Sequence, residues 1–178
     1  MEKNELQQHK KLLRCLGSLP KQIMNLSSFD NATEFVLHGL CSKDCFNLYK
    51  AAYFVDNPDF DMIKGVAGFS KDEGDLEWQN IWEDPESFTL FTKSLPFNKK
   101  VRTFASNSYK RKNQSFEKLV ESIANDVGFE KPAYCVWDMR HFNHGLLVYE
   151  KVNDDKCELF NEHFVDSLYL LNFCPMII

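Results

Sequence analysis

The sequence predicts an α+β domain: a central antiparallel sheet of about six strands, with helices on one face and a loop layer on the other. Three observations predict it. Two apolar runs around a tight turn, Ala51–Asp56 and Met62–Phe69, read as a strand–turn–strand unit. A second such unit, Ala133–Met139 and Gly145–Val152, closes the C-terminal half. Helix-period segments stand before, between and after the two units. At 178 residues the chain suits one domain, expected over residues 1–178. With 44% hydrophobic and 26% charged residues the composition is that of a globular protein. The 16 Phe residues point to a bulky aromatic core rather than an aromatic-lined cavity.

Taken in order, Glu2–Leu16 is rich in helix formers, with Leu6, Leu12, Leu13 and Leu16 as a loose apolar stripe. Gly17 and Pro20 are expected to interrupt it, with Pro20 opening a second short helix. Segment 1–16 is then an added helix suited to dimerisation. Ser27, Ser28, Asp30 and Asn31 offer caps for a helix carrying Phe35, Val36, Leu37 and Leu40. The strand Ala51–Asp56 is apolar on both faces, which implies cover on both sides, by helices on one and by the loop-rich layer on the other. Asn57-Pro58-Asp59 supplies the turn. Gly65 and Gly68 remove side chains from the returning strand, leaving room for a bulge or a close neighbour.

The middle, 70–112, carries an acidic half followed by a basic half. Pro85 opens a helix bearing Phe88, Leu90 and Phe91, and Lys100–Ala105 reads as a short strand. Phe116, Leu119, Val120, Ile123 and Val127 stand at helical spacing, with Gly128 as a left-handed stop. In the last helix Asn161 is the expected cap, with Phe160 and Val165 as a hydrophobic staple and Phe164, Leu168 and Leu171 as the buried stripe.

Charge and hydropathy narrow the function classes. A net charge of −5 argues against a nucleic-acid coat protein, which needs excess Lys and Arg. There is no apolar run long enough to span a bilayer, so no membrane partner is expected. The Met-Glu-Lys-Asn-Glu start is not a secretory signal, and six Cys are expected to stay reduced, which implies a cytoplasmic protein.

Several residue sets invite chemistry. His38, Cys41 and Cys45 fall on one face of a continuous helix, but a small apolar helix face explains them better than a metal, and no metal site is assigned. His141 and His144 flank a turn and read as a solvated hairpin. Cys135 with Asp138 and either His would make a nucleophilic enzyme, yet Cys135 sits in an apolar strand where burial makes a thiol inert. In the middle segment Arg102, with Lys100, is suited to grip a carboxylate or phosphate, while Trp78, Trp82, Tyr109 and Trp137 can wall an aromatic ligand. The plainer account of the two charge blocks is loose surface pairing.

The order helix, helix, a strand ending Val55-Asp56, a turn and a strand containing Val66-Ala67-Gly68, with a closing hairpin Gly145-Leu146-Leu147-Val148 and a final helix after Phe160-Asn161-Glu162-His163-Phe164, resembles a GAF domain over about residues 16–173. The resemblance implies a small ligand held between sheet and loops, dimerisation through terminal helices, and a free-standing domain or a piece of a larger regulator. Three family specialisations find no counterpart. Lys151 and Phe160 fit part of the cyclic-nucleotide signature, but its Asp-Glu pair is missing. The middle-loop Cys set of free methionine sulfoxide reductases is absent, since no Cys lies between Cys45 and Cys135, and no bilin-attachment Cys is identified.

The expectation is therefore a small-molecule-binding sensory or regulatory domain of signal transduction or transcription control. Tyr53, Trp78, Trp82, Arg102 and Trp137 are its ligand-binding residues, and no cofactor is assigned. The alternatives are an interaction or dimerisation module without a ligand and, third, a Cys-dependent enzyme.

Overall fold

The computed structural model describes residues 2–26, 29–73, 81–108, 115–152 and 158–174, so Trp78 and Tyr109 lie outside the described residues. The fold is α+β, with helices α1 (Glu2–Asn25), α2 (Ala32–Cys41), α3 (Pro85–Ser94), α4 (Pro96–Thr103), α5 (Phe116–Val127) and α6 (Glu158–Leu168). The strands are β1 (Leu48–Asn57), β2 (Met62–Ser70), β3 (Ala105–Ser106), β4 (Ala133–Asp138) and β5 (His144–Lys151). They form one antiparallel sheet of five strands in the order β3-β2-β1-β5-β4.

The two hairpins arise where the sequence places them. Asn57 accepts from the backbone N–H of Asp59 and Phe60, which closes the turn between β1 and β2. Along β1, Ala51, Tyr53 and Val55 point to a layer built from α1, α2 and α6, while Ala52 and Phe54 point to a layer built from α4 and α5. Both faces thus carry helices, which corrects the expected loop layer on one face. The reason lies in α4. A segment expected to hold the short strand Lys100–Ala105 is helical through Thr103, with a strand of only two residues after it. Val101 and Phe97 of that helix seat directly on the bare backbone of Gly65 and Gly68.

A Cβ at Gly65 would stand 1.9 Å from the Val101 carbonyl oxygen, and one at Gly68 would stand 2.8 Å from Val101 Cγ2. The register shifts between Tyr53 and Phe54, so Val66 is an extra residue of β2. The bulge and the close neighbour are therefore both present.

Two further boundaries differ from expectation. α1 runs through Gly17 and Pro20 without a break. An interior Pro costs about 3 kcal/mol, but Leu12, Leu19 and Ile23 are all buried on one side of this helix. Each such burial contributes roughly 1.5–3 kcal/mol, so packing outweighs the defect. α6 begins at Glu158, which places Asn161 inside the helix rather than at its cap, and Val165 is exposed. The stripe Phe164, Leu168 and Leu171 is buried as expected. α5 also matches: Ser115 accepts from Lys118 N–H at its start, and Gly128 ends it at φ 95°. Among the described residues no helix is long and apolar enough to cross a membrane.

Candidate functional site

Polar side chains collect under the first turn of α2, beside the outer edge of β2. Thr89 and Thr92 are three apart on α3 and both meet Asn31. Thr89 Oγ1 donates to Asn31 Oδ1 at 3.0 Å, and Asn31 Nδ2 donates to Thr92 Oγ1 at 3.3 Å. With its side chain so engaged, Asn31 makes no cap bond to α2. Asn98 and Arg102 are four apart on α4 and face the same way. Asn98 Oδ1 accepts from Gly68 N–H at 2.8 Å while its Nδ2 donates to the Thr92 carbonyl at 3.0 Å. Arg102 Nη1 donates to Glu34 Oε1.

Glu34 is the unusual member. It is only 4% exposed, whereas the Arg102 side chain is 46% exposed. Burial pushes the Glu34 carboxyl above its ordinary value, and the Arg102 guanidinium and the Asn98 amide hold it back. Its second oxygen, Oε2, is buried with no hydrogen-bond partner among the described residues. Next to it lie Thr33 and the buried Cys174, whose thiol burial pushes up to about 12. Tyr53 is buried as well, and its hydroxyl is raised by burial first and by the charge of the Cys174 thiol second. Tyr53 donates to Met139 Sδ at 3.6 Å and stacks on Trp137, with ring centroids 5.5 Å apart and planes 13° from parallel. Trp137 Nε1 donates to Asn172 Oδ1 at 2.9 Å.

The ligand-binding residues expected from sequence therefore fall into two groups. Tyr53 and Trp137 meet each other, buried on the α2 side of the sheet. Arg102 and Trp82 both reach α2, Arg102 at Glu34 and Trp82 at Phe35, with ring centroids 5.4 Å apart. Trp78 and Tyr109 lie outside the described residues. Asn31, Glu34, Thr92 and Asn98 were not anticipated. Their sequence signal is a lone acid in the apolar helix ATEFVLHGLC and an i, i+4 pair on α4, which becomes visible once Pro96–Thr103 is read as helix. Chemically the cluster presents an acceptor oxygen inside and a cationic donor toward solvent.

A second polar group sits at one end of the sheet, on the α4–α5 side. Asp56 is 1% exposed and accepts from Ser108 Oγ at 3.1 Å. Asp56 and Asp138 both stand opposite His144 in the strand register. His144 Nδ1 lies 3.0 Å from Asp138 Oδ1. Cys135 does not join them. Strand alternation puts it with Ala133 and Trp137 on the opposite face, and burial raises its thiol. The nucleophilic trio is thus not assembled. His38 packs edge-on between Phe69 and Phe88, and Cys41 is fully buried with its thiol raised by burial. Among the described residues no group of three His, Cys, Asp or Glu side chains is placed to hold a metal ion.

Comparison with known proteins adds no identity: no family model, no curated protein and no solved structure matches this chain.

Proposed function

We propose that this chain is a GAF-like regulatory module of the cytoplasm that responds to a small polar molecule, in signal transduction or transcription control. The single observation that carries the reading is Glu34: a carboxylate 4% exposed, with Oε2 unpartnered among the described residues and a half-exposed arginine beside it. Buried polar atoms are almost always satisfied, so an orphaned one calls for an occupant. A ligand with a donor for Glu34 and an anionic group for Arg102 complements both. The five-strand antiparallel sheet with helices at both termini is compatible with the GAF arrangement. Signalling is a population shift, in which the ligand favours whichever arrangement of α2, α3 and α4 it binds more tightly and so alters partner or terminal-helix contacts.

One observation favours a second reading, an interaction module without a ligand. Phe35 of α2 is fully buried, as are Tyr53 and Phe88, and Trp137 is stacked on Tyr53, so aromatic rings occupy the space that a ligand between sheet and cover would take.

Native mass spectrometry of the freshly purified protein separates the two. The sensor reading expects a mass above that of the bare chain, lost in both Glu34→Gln and Arg102→Met. A bare mass, together with no thermal stabilisation across a library of small anionic metabolites, leaves the interaction module.

A further inference from the structure

Two thiols meet where α1 lies against the end of α2. Cys15 stands on α1, and its Sγ donates to the Gly39 carbonyl in the last turn of α2 at 3.8 Å. Past that helix the chain turns tightly on Ser42, whose carbonyl accepts from Cys45 N–H at 3.1 Å and Asn47 N–H at 2.9 Å. The turn carries Cys45 to α1, where its thiol donates to the Cys15 sulfur. An ion pair fixes the same approach independently. Lys11, one helical turn before Cys15, places Nζ 3.2 Å from Oδ1 of Asp44, the neighbour of Cys45. Cys15 and Cys45 are both partly exposed, whereas Cys41 and Cys174 are buried. Apolar filling accounts for Cys41, but not for two half-exposed thiols aimed at each other.

The two sulfurs are not equivalent. The Cys15 thiol is held below its ordinary value by the hydrogen bond from Cys45, with burial opposing and the Ser42 hydroxyl assisting. Cys45 is raised by that same bond and then by burial. Cys15 is therefore the better thiolate, and Cys45 keeps its proton. A solvent-accessible thiolate next to a second thiol is the arrangement of a redox-sensing pair.

We propose that Cys15 and Cys45 form an oxidation site, at which hydrogen peroxide closes an intramolecular disulfide that fastens α1 to the turn leading into β1. The Cys15 thiolate attacks one peroxide oxygen and the O–O bond breaks. The hydroxide that leaves takes up the proton Cys15 had released, giving the first water. The Cys45 sulfur then attacks the Cys15 sulfenic acid, so that the S–S bond forms and the S–O bond breaks. The departing hydroxide leaves with the Cys45 proton as the second water. Two thiols lose two electrons, and one peroxide becomes two waters. Before closure the tether here is the Lys11–Asp44 pair, which is weak because both side chains are exposed. The site stands whether or not Arg102 and Glu34 hold a ligand.

Peroxide treatment of the reduced full chain, read by intact mass and peptide mapping, tests the proposal. One equivalent is expected to remove two hydrogens from the chain and to join the Cys15 and Cys45 peptides, with dithiothreitol reversing both. Cys45→Ser keeps a hydroxyl beside Cys15 but removes the second sulfur. Its oxidation is expected to stop at a Cys15 sulfenic acid, trapped by dimedone. Cys135→Ser is expected to leave the closure unchanged. Amide exchange in α1 is expected to slow about tenfold in the oxidised chain, because local opening of the helix is restrained. No disulfide, or one that joins Cys41 or Cys135 instead, overturns the site. A Cys15–Cys45 disulfide with unchanged exchange in α1 overturns the fastening of the helix.

Discussion

At the β2 edge the backbone is closed three times over. β3 pairs with Ile63 and Lys64, the Phe104 carbonyl takes the Gly65 N–H at 3.0 Å, and Asn98 Oδ1 takes the Gly68 N–H. Along the β4 edge no described group does the same. The difference has a physical origin in side-chain size. α4 approaches β2 closely because Gly65 and Gly68 offer bare backbone, and it then carries Asn98 and Arg102 around the strand to α2. β4 offers Tyr134 and Val136 instead, and α5 meets it through side chains, with the Phe116 ring 5.4 Å from that of Tyr134. One edge therefore depends on tight and specific geometry. The other carries no such constraint among the described residues.

The largest effect is expected at the closed edge. Gly65→Ala drives a Cβ into the Val101 carbonyl oxygen, a backbone atom that cannot move aside, and should cost roughly 3 kcal/mol or more. Denaturant unfolding would read it, and a loss well under 1 kcal/mol would mean that α4 is not fixed on β2.

Arg102→Met leaves the Glu34 carboxylate buried without its cation. Removing one partner of a buried pair is costly, and the half-exposed arginine moderates it to about 2 kcal/mol near neutral pH. The sign with pH follows from the raised carboxyl. The folded state holds a proton on Glu34 above its ordinary value of 4.5, where the unfolded chain does not. Glu34's contribution is therefore complete below that value and is lost as pH rises through its folded value. Without Arg102 the folded value rises further, so the deficit of the variant should shrink on acidification toward about pH 4.5. A deficit independent of pH would point to lost packing of the arginine stem instead.

Asn98→Ala opens the edge without disturbing the glycines. It strands the Gly68 N–H and removes one of the two donors to the Thr92 carbonyl, and about 2 kcal/mol is expected, with faster amide exchange confined to Gly68 and its neighbours. Uniform exchange across the sheet would count against a local closing role. At the open edge Val136→Lys should change stability by no more than about 0.5 kcal/mol, because its side chain is already partly solvated. Melting curves check this, and a large loss there would erase the contrast between the edges.

Much of the scaffold was legible because its signals are local. The β1–β2 turn follows from Asn57-Pro58-Asp59, and α5 from its apolar spacing and Gly128. The Phe-rich composition is expressed as core, with Phe35, Phe54, Phe88 and Phe164 fully buried. The failures share a cause. At Gly17 and Pro20 local propensity predicts a break, but the buried leucine side of α1 sits against α2 and overrides it. At Lys100–Ala105 the alternation of apolar and charged residues imitates a strand, while Phe97 and Val101 at helical spacing find the glycines of β2. Arg102 was recognised as a cation worth testing, but its partner Glu34 is 68 positions away, and no spacing rule connects them.

By itself the sequence determined the two hairpins and the helices α2, α3 and α5, because turn chemistry, side-chain alternation and helix caps act over a few residues. Only the tertiary structure decided which edge would be covered, that helices would lie on both faces, and that Glu34 would be buried beside Arg102. Those outcomes depend on how closely distant backbones approach, and that distance is set by the side chains missing at Gly65 and Gly68 together with the helix that reaches them.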